Sequence, residues 1–140
     1  MSYVRIWCHC VWSTKNWIQY LEDPVRDKVI EHIRESASLK GIYIDHLNGY
    51  FDHLHALVSI GATQTLAGIM QNIKGESSFW INKNNLIDNR FEWQDDYWAV
   101  SVGLIEIERL RRYINGQVRH HKKVTFEDEI NRFSLRYFKD

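Results

Sequence analysis

The chain has few of the residues that punctuate or cross-link a protein. Its 140 residues include one proline, seven glycines and two cysteines. No Pro- or Gly-rich stretch is available as a linker, and there is no repeat or low-complexity segment. The two cysteines, Cys8 and Cys10, stand two apart in an alternating segment. In an extended strand their side chains run parallel and their Cα atoms are too far apart for an ordinary disulfide, so they read as buried free thiols. No apolar run reaches membrane-spanning length, and Arg5, His9, Lys15 and Asn16 break up the N-terminal segment as they would not in a signal peptide. The expected location is the cytoplasm. Net charge is also missing, since 18 Lys and Arg balance 18 Asp and Glu. No global field therefore draws the chain to nucleic acid. What is present is a 44% hydrophobic composition, enough for one globular domain over residues 1–140 with a real core.

Charge does cluster locally. Arg109, Arg111, Arg112, Arg119, Lys122 and Lys123 gather around Tyr113, with His120 and His121 among them. The neighbouring Glu106 and Glu108 fit a solvated helix surface equally well.

Periodicity predicts the elements. Residues 3–13 alternate as a strand, with Cys8, Cys10 and Trp12 on an apolar face. The other face carries Arg5, Trp7 and His9, a mixture suited to a binding surface. Asp23–Pro24 reads as a helix start, with Asp23 as the cap and Pro24 at the first helical position. Val25, Val29, Ile33 and Ala37 follow at helical spacing, and Gly41 supplies the stop. A strand over residues 42–47 leads to Asn48–Gly49, a hairpin turn signal. A helix begins near Thr65 and carries Leu66, Ile69, Met70, Ile73 and Trp80 roughly on one face, with Lys74 and Ser77 beside them. Residues 82–89 read as a loop, 97–102 as a fourth strand, and 104–121 and 126–138 as helices. The order β-α-β-β-α-β predicts an α+β, ferredoxin-like (RRM-like) antiparallel sheet with helices on one face and added C-terminal helices. That arrangement leaves the second sheet face available, as in RNA-recognition modules.

The chemistry is concentrated in the run Phe51-Asp52-His53-Leu54-His55-Ala56-Leu57-Val58-Ser59-Ile60. Leu54, Ala56, Val58 and Ile60 form one apolar face. His53 and His55 share the other, where two imidazoles can hold one divalent ion. Tyr113 and Gln117, four residues apart, share a helix face, and Tyr113 lies off the stripe of Leu104, Ile107, Leu110, Ile114 and Val118. A phenol with an ordinary pKa of about 10 is a weak nucleophile at neutral pH. Nearby arginines or a metal-bound phosphate would help it. A divalent ion on His53, His55 and Gln117 would polarise a phosphate oxygen, and attack by Tyr113 would leave DNA attached to the protein. The residues leave other readings open: a non-catalytic binder of single-stranded DNA or RNA hairpins on the same scaffold, and a metallohydrolase that activates water. Zinc hydrolysis lacks a third histidine or cysteine at a convincing spacing.

Taken together, these runs resemble the single-tyrosine HUH transposases, small enzymes of simple bacterial insertion sequences and their domesticated relatives. His53-Leu54-His55 matches the histidine–hydrophobe–histidine motif, with Asp52 before it. Further matches are His9-Cys10-Val11-Trp12-Ser13-Thr14-Lys15, Ile73-Lys74-Gly75-Glu76-Ser77-Ser78, Trp93-Gln94-Asp95, Ser101-Val102, and Tyr113-Ile114-Asn115-Gly116-Gln117 followed by His120-His121-Lys122-Lys123. The resemblance implies His53, His55 and Gln117 as ligands of Mg2+ or Mn2+, and Tyr113 as the nucleophile that forms a 5′-phosphotyrosine and frees a 3′-hydroxyl. It also implies single-stranded DNA hairpins at element ends as substrate, and a homodimer in which the tyrosine helix of one subunit can complete the site of the other. Arg5, His9, Lys74, Ser77, Arg112, His120, His121 and Lys122 are the expected DNA contacts. The chain departs from the common pattern at Gly116, where Asn is usual, and at Asp96-Tyr97, where Gly-Tyr is usual.

Overall fold

The structure, a computed structural model, describes residues 2–117. The helix expected over residues 126–138 lies outside the described residues. In chain order the elements are β1 (Ile6–Ser13), α1 (Val25–Leu39), β2 (Tyr43–Gly49), β3 (His53–Ile60), α2 (Leu66–Lys83), β4 (Trp98–Val102) and α3 (Ile107–Asn115). A turn of 3-10 helix at Leu104–Glu106 leads into α3. The strands form a four-stranded antiparallel sheet in the order β2-β3-β1-β4, the ferredoxin-like arrangement that the element order predicts.

Alternation decides which side chains meet the first two helices. Cys8, Cys10 and Trp12 of β1 and Leu54, Ala56, Val58 and Ile60 of β3 pack against Val29, Ile33 and Ala37 of α1 and Ile69, Met70, Ile73 and Ile81 of α2. Each fully buried Leu, Ile or Val here contributes about 1.5–3 kcal/mol. Both cysteines are free and buried, and burial pushes the Cys10 thiol up to about 12. Gly41 ends α1 with a φ of +72°, and the Thr65 hydroxyl caps α2 by accepting from the Gly68 amide at 3.0 Å.

The second sheet face is not open. Ile107, Leu110 and Ile114 of α3 cover Trp7, Leu57 and Val102, and His9 and Val11 beneath them are almost wholly buried. An apolar stripe at i, i+3 and i+7 needs a partner surface. The apolar residues interleaved with the histidines supply it.

Smaller differences have local causes. Pro24 caps α1, which starts at Val25 without a side-chain cap; the Asp23 carboxylate instead accepts from Arg26 Nη2 at 2.8 Å. α2 continues to Lys83, past the expected start of the loop. The long C-terminal helix breaks, because α3 ends at Asn115 and Gly116 has φ −93° and ψ 16°. Asn48 and Gly49 belong to β2 rather than to the turn, pairing with His55 and Leu54. The chain reverses over residues 50–52, closed by the Tyr50 amide donating to the His53 carbonyl at 2.9 Å. Gly49 is needed for close approach: a Cβ there would lie 2.1 Å from the His53 carbonyl oxygen and 2.8 Å from Leu54 Cα.

Because both obstacles are backbone, Gly49→Ala should destabilise the protein by about 1–3 kcal/mol. Urea unfolding measures this, and an unchanged midpoint would mean that the hairpin opens at no cost.

Candidate active site

His53 is the first residue of β3, so the tight hairpin sets its position. It pairs with Ser13, while His55 pairs with Val11 on one side and Asn48 on the other. Both imidazoles therefore face α3. Beyond the break at Gly116, Gln117 comes down over them, its Oε1 3.3 Å from His53 Nε2. His53, His55 and Gln117 are all fully buried. The His53 and His55 ring centroids are 5.1 Å apart, and the half-buried Tyr113 sets its ring edge-to-face on His55 at 5.6 Å. The four residues expected to converge do so, within one chain.

Proton placement shows what this cluster can hold. The Asp52 carboxylate lies 2.7 Å from His53 Nδ1 and can only accept, so the proton of neutral His53 sits on Nδ1. Its Nε2 lone pair then faces the Gln117 carbonyl oxygen. The Gln117 Nε2 donates to the Tyr113 carbonyl at 3.4 Å. The contact between His53 and Gln117 can be met by a proton on His53 Nε2 or by a cation bound to both groups. Among the described residues, no group of three His, Cys, Asp or Glu side chains is placed to hold a metal. The third donor would be the Gln117 amide, and two imidazoles with a carbonyl oxygen suit a divalent ion.

The helix that carries Tyr113 is tied to the sheet at its middle and at its C-terminal end. At a register shift between Ile44 and His46, Asp45 accepts from Arg111 Nε and Nη2, both at 2.8 Å. Glu108 engages the same guanidinium, and His46 Nδ1 contacts the same carboxylate. The Arg111 hydrogen bonds are the main reason that the Asp45 carboxyl is held below its ordinary value. At the C-terminal end of α3, Asn48 Nδ2 donates to the Asn115 carbonyl at 3.2 Å.

The expected DNA contacts are placed differently. His9 and Ser77 are fully buried and present nothing to a ligand surface. His9 contacts His55, and Ser77 is on the buried side of α2, donating to the Ile73 carbonyl and accepting from Trp93 Nε1. The Lys74 ammonium reaches the carbonyls of Gln94, Asp95 and Asp96 at 2.6, 2.8 and 3.3 Å. Arg5 is exposed but lies before the far end of β1, about 26 Å from Ser13 at the rise of an extended strand. Arg112 is exposed beside Tyr113. His120, His121 and Lys122 lie outside the described residues. Asn48 reads from the sequence only as half of a turn signal, and nothing there gives Asp45 a partner, because the bulge that brings it to Arg111 has no local pattern. The usable signal for Asp52 is its place next to the first histidine.

The family described as IS200-like transposase matches residues 2–117, and the chain belongs to that family. The comparison with curated proteins returns no match. One similar solved structure is a protein of Deinococcus radiodurans R1 assigned provisionally as a transposase. It is 23% identical, with a TM-score of 0.65, covering 84% of this chain and 95% of that one. Another is a REP-associated tyrosine transposase bound to a REP hairpin. It is 15% identical, with a TM-score of 0.62, covering 86% of this chain and 72% of that one. Both share the fold. Among the described residues, no helix is long and apolar enough to cross a membrane.

A carboxyl whose pKa is depressed on folding contributes stability that is complete above its unfolded value and lost as pH falls through the folded one. Acidification below the ordinary Asp45 value of 3.8 should therefore weaken the attachment of α3. Asp45→Asn should be less stable at neutral pH and lose less on going from pH 5 to pH 2, measured by thermal unfolding. Parallel curves for the two proteins would remove this role from the ion pair.

Proposed function

We propose that the protein cleaves and rejoins single-stranded DNA at the ends of a mobile element through a 5′-phosphotyrosine on Tyr113. The observation that carries this reading is the convergence of a phenol, two imidazoles and an amide oxygen in one cluster of an IS200-like transposase. In the proposed step the Tyr113 oxygen attacks phosphorus and loses its proton, the P–O3′ bond breaks, and the departing 3′-oxygen takes up a proton. The new ester is about as energetic as the old one, so a free 3′-hydroxyl reverses the step without ATP.

His53, His55 and Gln117 would hold Mg2+ or Mn2+. Once bound, the ion supplies charge neutralisation at a phosphate oxygen. The chain's own residues do the positioning. Asp52 fixes the His53 tautomer, the Arg111–Asp45 pair holds α3 down, and the His55 ring meets the Tyr113 ring. Arg112, exposed one position before the nucleophile, is a candidate for the DNA backbone. A DNA hairpin as substrate is supported by the family and by the hairpin-bound neighbour. Action as a homodimer is part of the same proposal.

The test incubates the protein with Mn2+ and labelled single-stranded hairpin ends, then separates denatured species on a gel. Wild type should give a covalent protein–DNA adduct. Tyr113→Phe and addition of a chelator should each abolish it, and His53→Ala should reduce it to background. An adduct that persists in Tyr113→Phe would refute the nucleophile. Salt-sensitive hairpin binding with no adduct under any divalent metal would instead favour a binding protein on this scaffold.

A further inference from the structure

His9 is a fully buried imidazole to which the proposed reaction gives no part. It lies on the α3 side of β1, diagonally across from His55: its own partner in β3 is Leu57, and that of His55 is Val11. Such diagonal pairs bring long and aromatic side chains into reach. Here the His9 Nε2 lies 2.8 Å from His55 Nδ1. The two ring planes are 24° from parallel, with centroids 5.0 Å apart. On its other side, His9 meets Trp98 edge-to-face at 5.2 Å, with the planes at 82°. His9 is thus held between an indole and the imidazole it contacts.

A single proton bridges two nitrogens at this distance, and its owner decides what His55 can do. If His9 Nε2–H donates, neutral His55 carries its proton on Nε2 and has no lone pair there for a cation. If His55 Nδ1–H donates to His9 Nε2, then His55 Nε2 is unprotonated and can act as a ligand. We propose that His9 is a positioning residue that accepts the Nδ1–H of His55, fixing both the tautomer and the ring rotation that a metal ligand at Nε2 requires. It does for His55 what the Asp52 carboxylate does for His53, with a neutral acceptor in place of an anion. Outer-shell hydrogen bonds of this kind typically change metal affinity by about 10- to 100-fold. The proposal rests on the metal-binding role of His53 and His55.

Two measurements test it apart from DNA cleavage. Nitrogen-15 NMR of histidine-labelled protein without metal should find His55 protonated at Nδ1. A His55 found as the Nε2–H tautomer would overturn the proposal directly. Mn2+ titration by electron paramagnetic resonance should then give an affinity about 10- to 100-fold weaker in His9→Phe, which keeps a ring between Trp98 and His55 but cannot accept. His9→Gln, whose amide oxygen can accept, should recover most of the loss, which a purely packing role would not produce. Tight Mn2+ binding that is lost in His53→Ala but unchanged in His9→Phe would sink the role of His9 and leave the metal site standing. No Mn2+ binding by wild type would overturn the metal site and the His9 role together.

Discussion

Burial of the second sheet face beneath α3 is the constraint on which the site depends. The Ile107, Leu110 and Ile114 stripe seats on Trp7, Leu57 and Val102, and in doing so removes His9, His53, His55 and Gln117 from water. Polar groups taken out of water must be hydrogen-bonded or coordinate an ion, because an unsatisfied one costs on the order of 1–3 kcal/mol. Asp52 on His53 and His9 on His55 meet part of that demand. The same burial lowers the local dielectric around the cluster, which strengthens the interactions among its polar groups.

Several runs that match the family turn out to support one another. Lys74 and Ser77 of α2 hold the segment containing Trp93, Gln94 and Asp95. That segment in turn bonds to the end of β1, through the Gln94 amide to the Ser13 carbonyl at 2.8 Å and the Lys15 amide to Glu92 at 3.0 Å. The Thr14 amide donates to the Asp52 carbonyl at 2.9 Å, next to the first histidine. A lysine and a serine that read as DNA contacts are therefore part of a brace behind the site. Burial also holds the Lys74 pKa below its ordinary value, as expected for an ammonium drawn in among carbonyls.

Much of this was legible because it is local. Alternation in β1 and β3, the apolar stripe of α2 and the shared side of His53 and His55 all follow from side-chain periods of 2 and 3.6. The covering of the second face did not show, because Trp7 and Val11 alternate with Cys8 and Cys10 around His9, and Leu57 follows two histidines. Such a face reads as mixed rather than as a core. Nor did the Asp45–Arg111 pair show, since its members are 66 residues apart and depend on a bulge. The direction in which Lys74 points is a tertiary fact that no motif carries.

The alternation of the histidine strand has a consequence for how this sequence can change over generations. In a strand each added or deleted residue exchanges the two sides of everything beyond it. A single-codon insertion between His55 and Ala56 would put the two halves of β3 out of phase, so the imidazoles could go on facing α3 only if Val58 and Ile60 left the core beneath α1 and α2. A residue added in a turn carries no such penalty, because the turn can bulge while the strands keep their pairing.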